Sequence, residues 1–264
     1  MIKTVSSVLI MMRVLEKTTC EVYPKFSLIN SASKRRIALR KKTIFILPAV
    51  ILMFFVSCNS TDNSYYPLKE NLEWNYLVSN NSSIIGEEGS LKMTVTNMPK
   101  REMNGKTVTP QKVTVNGIIL FNFYVEDQSG IYSIAQQTFN SPEPVITKPD
   151  YLLHFPIEIG STYEEKGKTQ ALTTNIPIKV LFKVESNKET VTVPAGTFEN
   201  CLKIRGVGDS IQNHGILGKA KIHAEYLVWY APGIGLIKAV ITEKSNHLMS
   251  GGGSLTTQLE SFKK

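Results

Sequence analysis

From Tyr65 onward apolar and polar side chains alternate with a period of two, the repeat of a half-buried strand and not of a helix. Leu91 to Thr96 alternates and then meets Pro99. Lys106 to Thr109 and, after Pro110, Lys112 to Val115 continue the pattern, followed by Ile118 to Val125, Gly130 to Gln136, Ile176 to Glu185 and Glu189 to Val193. Asn104-Gly105 and Asn116-Gly117 stand where two-residue hairpin turns are expected, because both residue types tolerate positive φ. Asp127-Gln128-Ser129-Gly130 marks a further turn. Residues 140–150, with Pro142, Pro144 and Pro149, are expected to form a loop. No run of ten or more residues after Cys58 carries a helical period, so the expected class is mainly β, a strongly curved antiparallel sheet with few or no helices.

Upstream the pattern is of another kind. Arg40-Lys41-Lys42 opens a run of fourteen residues, Thr43 to Val56, that has no polar face and holds Pro48. As a helix it would reach about 21 Å, short of the roughly 30 Å hydrocarbon core. Charge, a short apolar run and a small residue make a secretory signal. The closing residues Phe55-Val56-Ser57-Cys58 resemble the lipobox of bacterial lipoprotein signals, with Phe55 in the place usually held by Leu. The resemblance implies cleavage before Cys58, acylation of that cysteine and a membrane partner reached through the acyl chains. Residues 1–57 are thus a leader, with the signal at 40–57. For residues 1–36 two readings stay open: translation from near Ile37 or Leu39, which leaves them unmade, or a long n-region removed with the signal.

This partition changes the meaning of the charge. The net charge is +8, and the leader alone holds ten Lys and Arg against Glu16 and Glu21. Twenty residues of each sign remain from Cys58 on and cancel. The exported part therefore has no basic excess to recruit nucleic acid. Asn59 to Ser64 is polar, without an acidic tract and without aspartate after the cysteine, which by analogy suits a flexible tether on the outer membrane facing the periplasm. Residues 58–64 are that tether, and 65–264 are long enough for one β domain with a sizeable core. Cys201 is left with no cysteine partner once Cys20 leaves with the leader and Cys58 carries lipid, so it is expected to be a buried thiol.

Tyr66-Pro67-Leu68-Lys69-Glu70-Asn71-Leu72-Glu73-Trp74 echoes Phe155-Pro156-Ile157-Glu158-Ile159-Gly160-Ser161-Thr162-Tyr163. Each runs aromatic, Pro, aliphatic, turn-former, aromatic, and so suits a tight turn feeding a strand that begins on a large ring. The echo admits a division of the domain into similar halves, 65–150 and 151–264.

Two hairpins carry the most specific signal. Thr190 to Ile204 contains Val193-Pro194-Ala195-Gly196-Thr197-Phe198 and then Cys201, and Leu227 to Lys238 contains Trp229-Tyr230-Ala231-Pro232-Gly233-Ile234-Gly235. With the Tyr66 to Trp74 opening and the closing Gln258 to Phe262, they resemble a family of bacterial envelope proteins, many of them lipoproteins, that share VPAGTF…C and WYAPGVGLVK segments. The family has no assigned reaction. The resemblance implies curved antiparallel sheets akin to the half-barrels of lipoprotein carriers, with Pro194, Gly196, Pro232, Gly233 and Gly235 as structural turns.

Candidate chemistry is sparse. Gly233-Ile234-Gly235 lacks the following helix of a phosphate loop. His154, His214, His223 and His247 show no zinc-ligand spacing, and none neighbours a motif serine or cysteine. Glu87-Glu88 and Glu164-Glu165 are adjacent pairs, which a strand sends to opposite faces. No catalytic, metal or cofactor residues are assigned, and the expectation is a non-enzyme. The leading expectation is a lipid-anchored envelope protein that binds an apolar or lipid-like ligand in the hollow of its sheet. The alternative is an assembly protein that docks an envelope partner on the sheet, and an envelope enzyme ranks third.

Overall fold

A computed structural model describes residues 64–82, 88–172, 175–247 and 250–264. Its thirteen strands are β1 (Glu73–Ser82), β2 (Glu88–Asn97), β3 (Arg101–Met103), β4 (Lys106–Val115), β5 (Ile118–Asp127), β6 (Gly130–Thr138) and β7 (Val145–His154), then β8 (Thr162–Lys168), β9 (Pro177–Val193), β10 (Gly196–Asn213), β11 (Lys219–Ala231), β12 (Gly235–Ser245) and β13 (Gly253–Lys263). A single 3-10 turn at Gly215–Leu217 is the only helical element among the described residues. The mainly β expectation holds. The leader, Cys58 and tether residues 59–63 lie outside the described residues.

The hairpins form as their residues dictate. Asn104 and Gly105 take φ of 51° and 71°, and Asn116 and Gly117 take 47° and 79°. Both central residues being positive is the turn whose twist matches that of paired strands. In β9 the even positions from Ile178 to Val184 are buried and the odd ones exposed, so one face of the strand enters the core. β4 runs unbroken through Pro110, at the point where its neighbour changes from β3, paired at residues 106–108, to β2, paired at 111–115.

One expectation is corrected. Residues 145–150 belong to β7, not to a loop. Pro149 is tolerated because β7 is an edge strand, so one side of it has no ladder to lose. On the other side the register slips between Ser133↔Asp150 and Ala135↔Ile146, which leaves 147–149 out of the pairing. Likewise 177–193 forms one long strand, β9, whose register against β10 is irregular near Ser186 and Glu189.

All pairs are antiparallel, and the sheet order is β7-β6-β5-β4-β2-β1-β13-β12-β11-β10-β9-β8, with β3 beside β4. β1 pairs with β13 from Glu73↔Lys263 to Ser82↔Gly253, which ties the start of the domain to its end. The sheet curls into a nearly closed barrel, open along one seam between its edge strands β7 and β8. The first seven strands thus make one side and the last six the other.

The main core fills the barrel, from Trp74, Tyr76 and Met93 round to Tyr226, Leu236 and Leu259. A second cluster of Val108, Phe123, Val125, Tyr132, Ile134 and Ala135 lies on the other face of the sheet, where the Arg101 guanidinium sits 4.6 Å over the Phe123 ring. At one end of the barrel Leu68 and Leu72 are buried, Trp74 Nε1 donates to Ile234 O at 2.6 Å, and Asn97 Nδ2 donates to Pro67 O and Lys69 O. Residues 66–72 therefore act as a plug.

Candidate functional site

The inward-facing positions of this barrel are large and apolar, and they do not quite meet. A cavity of about 70 Å³ remains, lined by Tyr66, Tyr76, Met93, Val113, Phe182 and Tyr226, among others. It extends to Tyr151 and Leu152 of β7 and to Tyr163 and Glu165 of β8, and so reaches the barrel wall at the seam.

The tyrosines around it keep their protons. Burial pushes the hydroxyls of Tyr66, Tyr76, Tyr124, Tyr226 and Tyr230 far above the ordinary phenol value. Tyr66 and Tyr76 act as neutral hydrogen-bond donors, whereas the Tyr124 hydroxyl has no partner. Tyr66 donates to Gln111 Oε1 at 2.9 Å, and Tyr76 donates to Leu236 O at 2.9 Å.

The seam is closed by side chains. No backbone pairing joins β7 to β8, but His154 Nε2 lies 3.1 Å from Glu165 Oε1. The His154 ring stacks on Tyr151 at 4.1 Å and meets Tyr163 at 4.2 Å. The row continues through Phe182, 5.3 Å from Tyr163, to Tyr226. Alternation explains how β8 serves two roles: Glu164 points out to Lys179 at 3.1 Å, while Glu165 reaches the cavity and His154.

At the far end Glu243, wholly buried on β12, holds the segment that leads from β8 to β9. Its carboxylate accepts the N–H groups of Gln170, Ala171 and Leu172 at 2.7–3.2 Å, and the Tyr226 hydroxyl lies 3.4 Å away. Burial raises its pKa, and the three backbone N–H groups and Tyr226 oppose the rise. Sequence reading passed over this residue. The signal was available, since Ala239, Ile241 and Glu243 share the inward phase of their strand.

Outside the barrel, beside the seam, Lys106 Nζ donates to the Tyr132 hydroxyl at 2.8 Å, Tyr132 donates to Asp127 Oδ2 at 2.5 Å, and Ser129 Oγ donates to Asp127 Oδ1 at 2.6 Å. The Ser129 and Tyr132 hydroxyls and the Ser129 N–H lower the Asp127 pKa to about 2. A carboxylate that holds its proton so weakly is a poor base for activating Ser129, and the cluster serves to brace the β5–β6 turn.

The motif turns do more than turn. Gly196, Gly233 and Gly235 have φ of 134°, 68° and 107°, and Pro194 and Pro232 lie just ahead of them. Gly233 N donates to Ser64 O, and a Cβ on Gly235 would touch Pro67 and Trp74. The β11–β12 hairpin thus seats the plug, while Ala195 N donates to Leu259 O and folds the β9–β10 hairpin onto β13. Cys201 is fully buried, and burial pushes its thiol pKa up to about 11. Of the histidines, His223 pairs with Asp209 at 2.9 Å, and the rings of His214 and His247 stack at 4.7 Å. Among the described residues no three His, Cys, Asp or Glu side chains gather as metal ligands would.

Residues 162–252, less than half of the chain, match a protein family described as DUF3108-like. That stretch contains both motif hairpins. No curated protein matches the chain at a significant level. Among solved structures, a candidate exported protein with a YmcC-like fold from Bacteroides fragilis is similar with a TM-score of 0.38 and 15% identity, over 75% of this chain and 98% of its own. A candidate lipoprotein from Parabacteroides distasonis gives a TM-score of 0.39 and 15% identity over the same shares.

Proposed function

We propose that this protein is a non-catalytic, lipid-anchored protein of the cell envelope that takes an apolar group into its barrel through the seam. One observation carries the reading: the apolar cavity meets the barrel wall where neighbouring strands share no backbone hydrogen bonds. Parting β8 from β9 instead would break a ladder of seven residue pairs, at about 1 kcal/mol for each hydrogen bond. Opening the seam costs one ring contact, His154 against Tyr163, of about 0.5–1.5 kcal/mol, and a partly exposed His–Glu pair of about 1 kcal/mol or less. The seam is the cheaper door.

The cavity of about 70 Å³, which opens toward the seam, has room for only a short apolar group. A longer acyl chain needs the seam parted. The anchor is Cys58, and the polar, weakly acidic tether after it favours the outer membrane with the domain facing the periplasm.

Native mass spectrometry of the full chain, gently extracted from membranes, should show a co-purifying apolar molecule that organic solvent releases. It should also show acyl mass that the Cys58→Ala variant lacks. A ligand-free spectrum, with no binding of an apolar fluorescent probe, rejects the lumen reading.

A second reading has its own observation. Phe139, Val145 and Ile146 are 73%, 63% and 55% exposed around the β6–β7 connection, beside the unpaired edge of β7. These side chains suit a partner protein docking along that edge, and failure of the ligand experiment would favour it.

A further inference from the structure

The barrel interior is not apolar all round. On β5, Phe121 and Phe123 pack into the outer cluster while Leu120 and Tyr124 belong to the main core, so Asn122 between them lies on the inward face. It is wholly buried, and neither its Nδ2 nor its Oδ1 has a hydrogen-bond partner. In register it sits between Gln111 of β4 and Gln136 of β6. Gln136 Nε2 is also buried and unpaired, as is Ser133 Oγ, which faces Tyr124 one step along the same side. Gln111 itself lines the cavity, so the unpaired groups begin one strand behind its wall.

A buried carboxamide with both donor and acceptor unused is costly, and natural cores avoid it. Leucine has nearly the same size and would fill the position at no such cost. Groups of this kind recur where a buried site is built to pair with something polar.

We infer that Asn122, Gln136 and Ser133 form a headgroup subsite for an amphiphile whose head is uncharged and both donates and accepts hydrogen bonds, such as an alcohol or an amide, with its tail in the aromatic cavity. This rests on the lumen reading and narrows it. The three side chains supply donors and acceptors but no cation. A neutral head is the chemistry that remains.

The test uses the full chain titrated calorimetrically with 1-octanol, octane and octanoate. Wild type should bind octanol about tenfold more tightly than octane, the worth of roughly one to two buried hydrogen bonds, and octanoate most weakly. Asn122→Leu should remove the preference for octanol, keep octane binding and raise the melting temperature, since it deletes two unpaired polar atoms. Ser133→Ala, a smaller change that leaves the packing intact, should reduce the same preference in part and guards against misfolding of the first variant. Octane and octanol binding equally to wild type would overturn the headgroup subsite and leave the lumen reading standing. A more stable Asn122→Leu protein with an unchanged octanol preference would show that the amide meets water alone, and would overturn it too. Failure of all three compounds to bind would overturn both readings.

Discussion

Ala239→Val puts a number on the cavity. Ala239 lies on β12, is almost fully buried and lines the void. Valine suits a strand, and its two added methyl groups, each roughly the ~30 Å³ of a water molecule, take up most of the 70 Å³. At about 24 cal/mol per Å³, complete filling of a void of 70 Å³ returns about 1.7 kcal/mol. A rotamer forced off its minimum takes back about 0.5–1.5 kcal/mol. The net expectation is between no change and a gain of about 1 kcal/mol, or a rise of up to about 2–4 °C in Tm for a domain of this size. Urea denaturation followed by the fluorescence of Trp74 and Trp229 measures it, and titration with an apolar probe measures occupancy. Stability should hold or rise while probe affinity falls at least tenfold. A loss of more than about 1 kcal/mol with unchanged probe affinity would refute the reasoning, because the void would then be neither fillable nor the binding site.

Two further outcomes follow from buried groups outside the cavity. Glu243→Gln turns an amide N–H₂ or a single carbonyl toward three backbone donors and should cost about 1–3 kcal/mol. Because burial raises the Glu243 pKa above its ordinary value of 4.5, the folded state holds this proton more tightly than the unfolded state. Its contribution is then fully present below pH 4.5 and is lost as pH rises through the folded value, so the advantage of wild type over Glu243→Gln should shrink upward from that pH. A widening advantage would mean that the backbone N–H groups outweigh desolvation. Cys201→Ala should cost about 1–2 kcal/mol and change no binding property, while the native thiol, its pKa pushed up to about 11, should resist a thiol reagent until the protein unfolds.

Much of the architecture is written locally. Alternation along Ile178 to Val184 needs only the two-residue repeat of a strand to separate core from surface, and Asn104-Gly105 and Asn116-Gly117 set their turns by backbone φ alone. The same repeat sends Glu164 out and Glu165 in. Tertiary structure decided the rest. Three prolines between 140 and 150 read as a loop, yet β7 forms because an edge strand needs hydrogen bonds on one side only. Pairing of Glu73 with Lys263, which joins the two sides of the barrel, spans nearly the whole domain, and no local preference specifies such a partner. The contact of His154 with Glu165 exists because the edges of the sheet come close without pairing, and the burial of Glu243 and Asn122 depends on what the curled sheet brings over them. Sequence by itself determined which residues face inward, since that follows from the geometry of each strand. Where the barrel stays unsealed, and which inward polar groups find a partner, is fixed only when distant strands settle their register against one another.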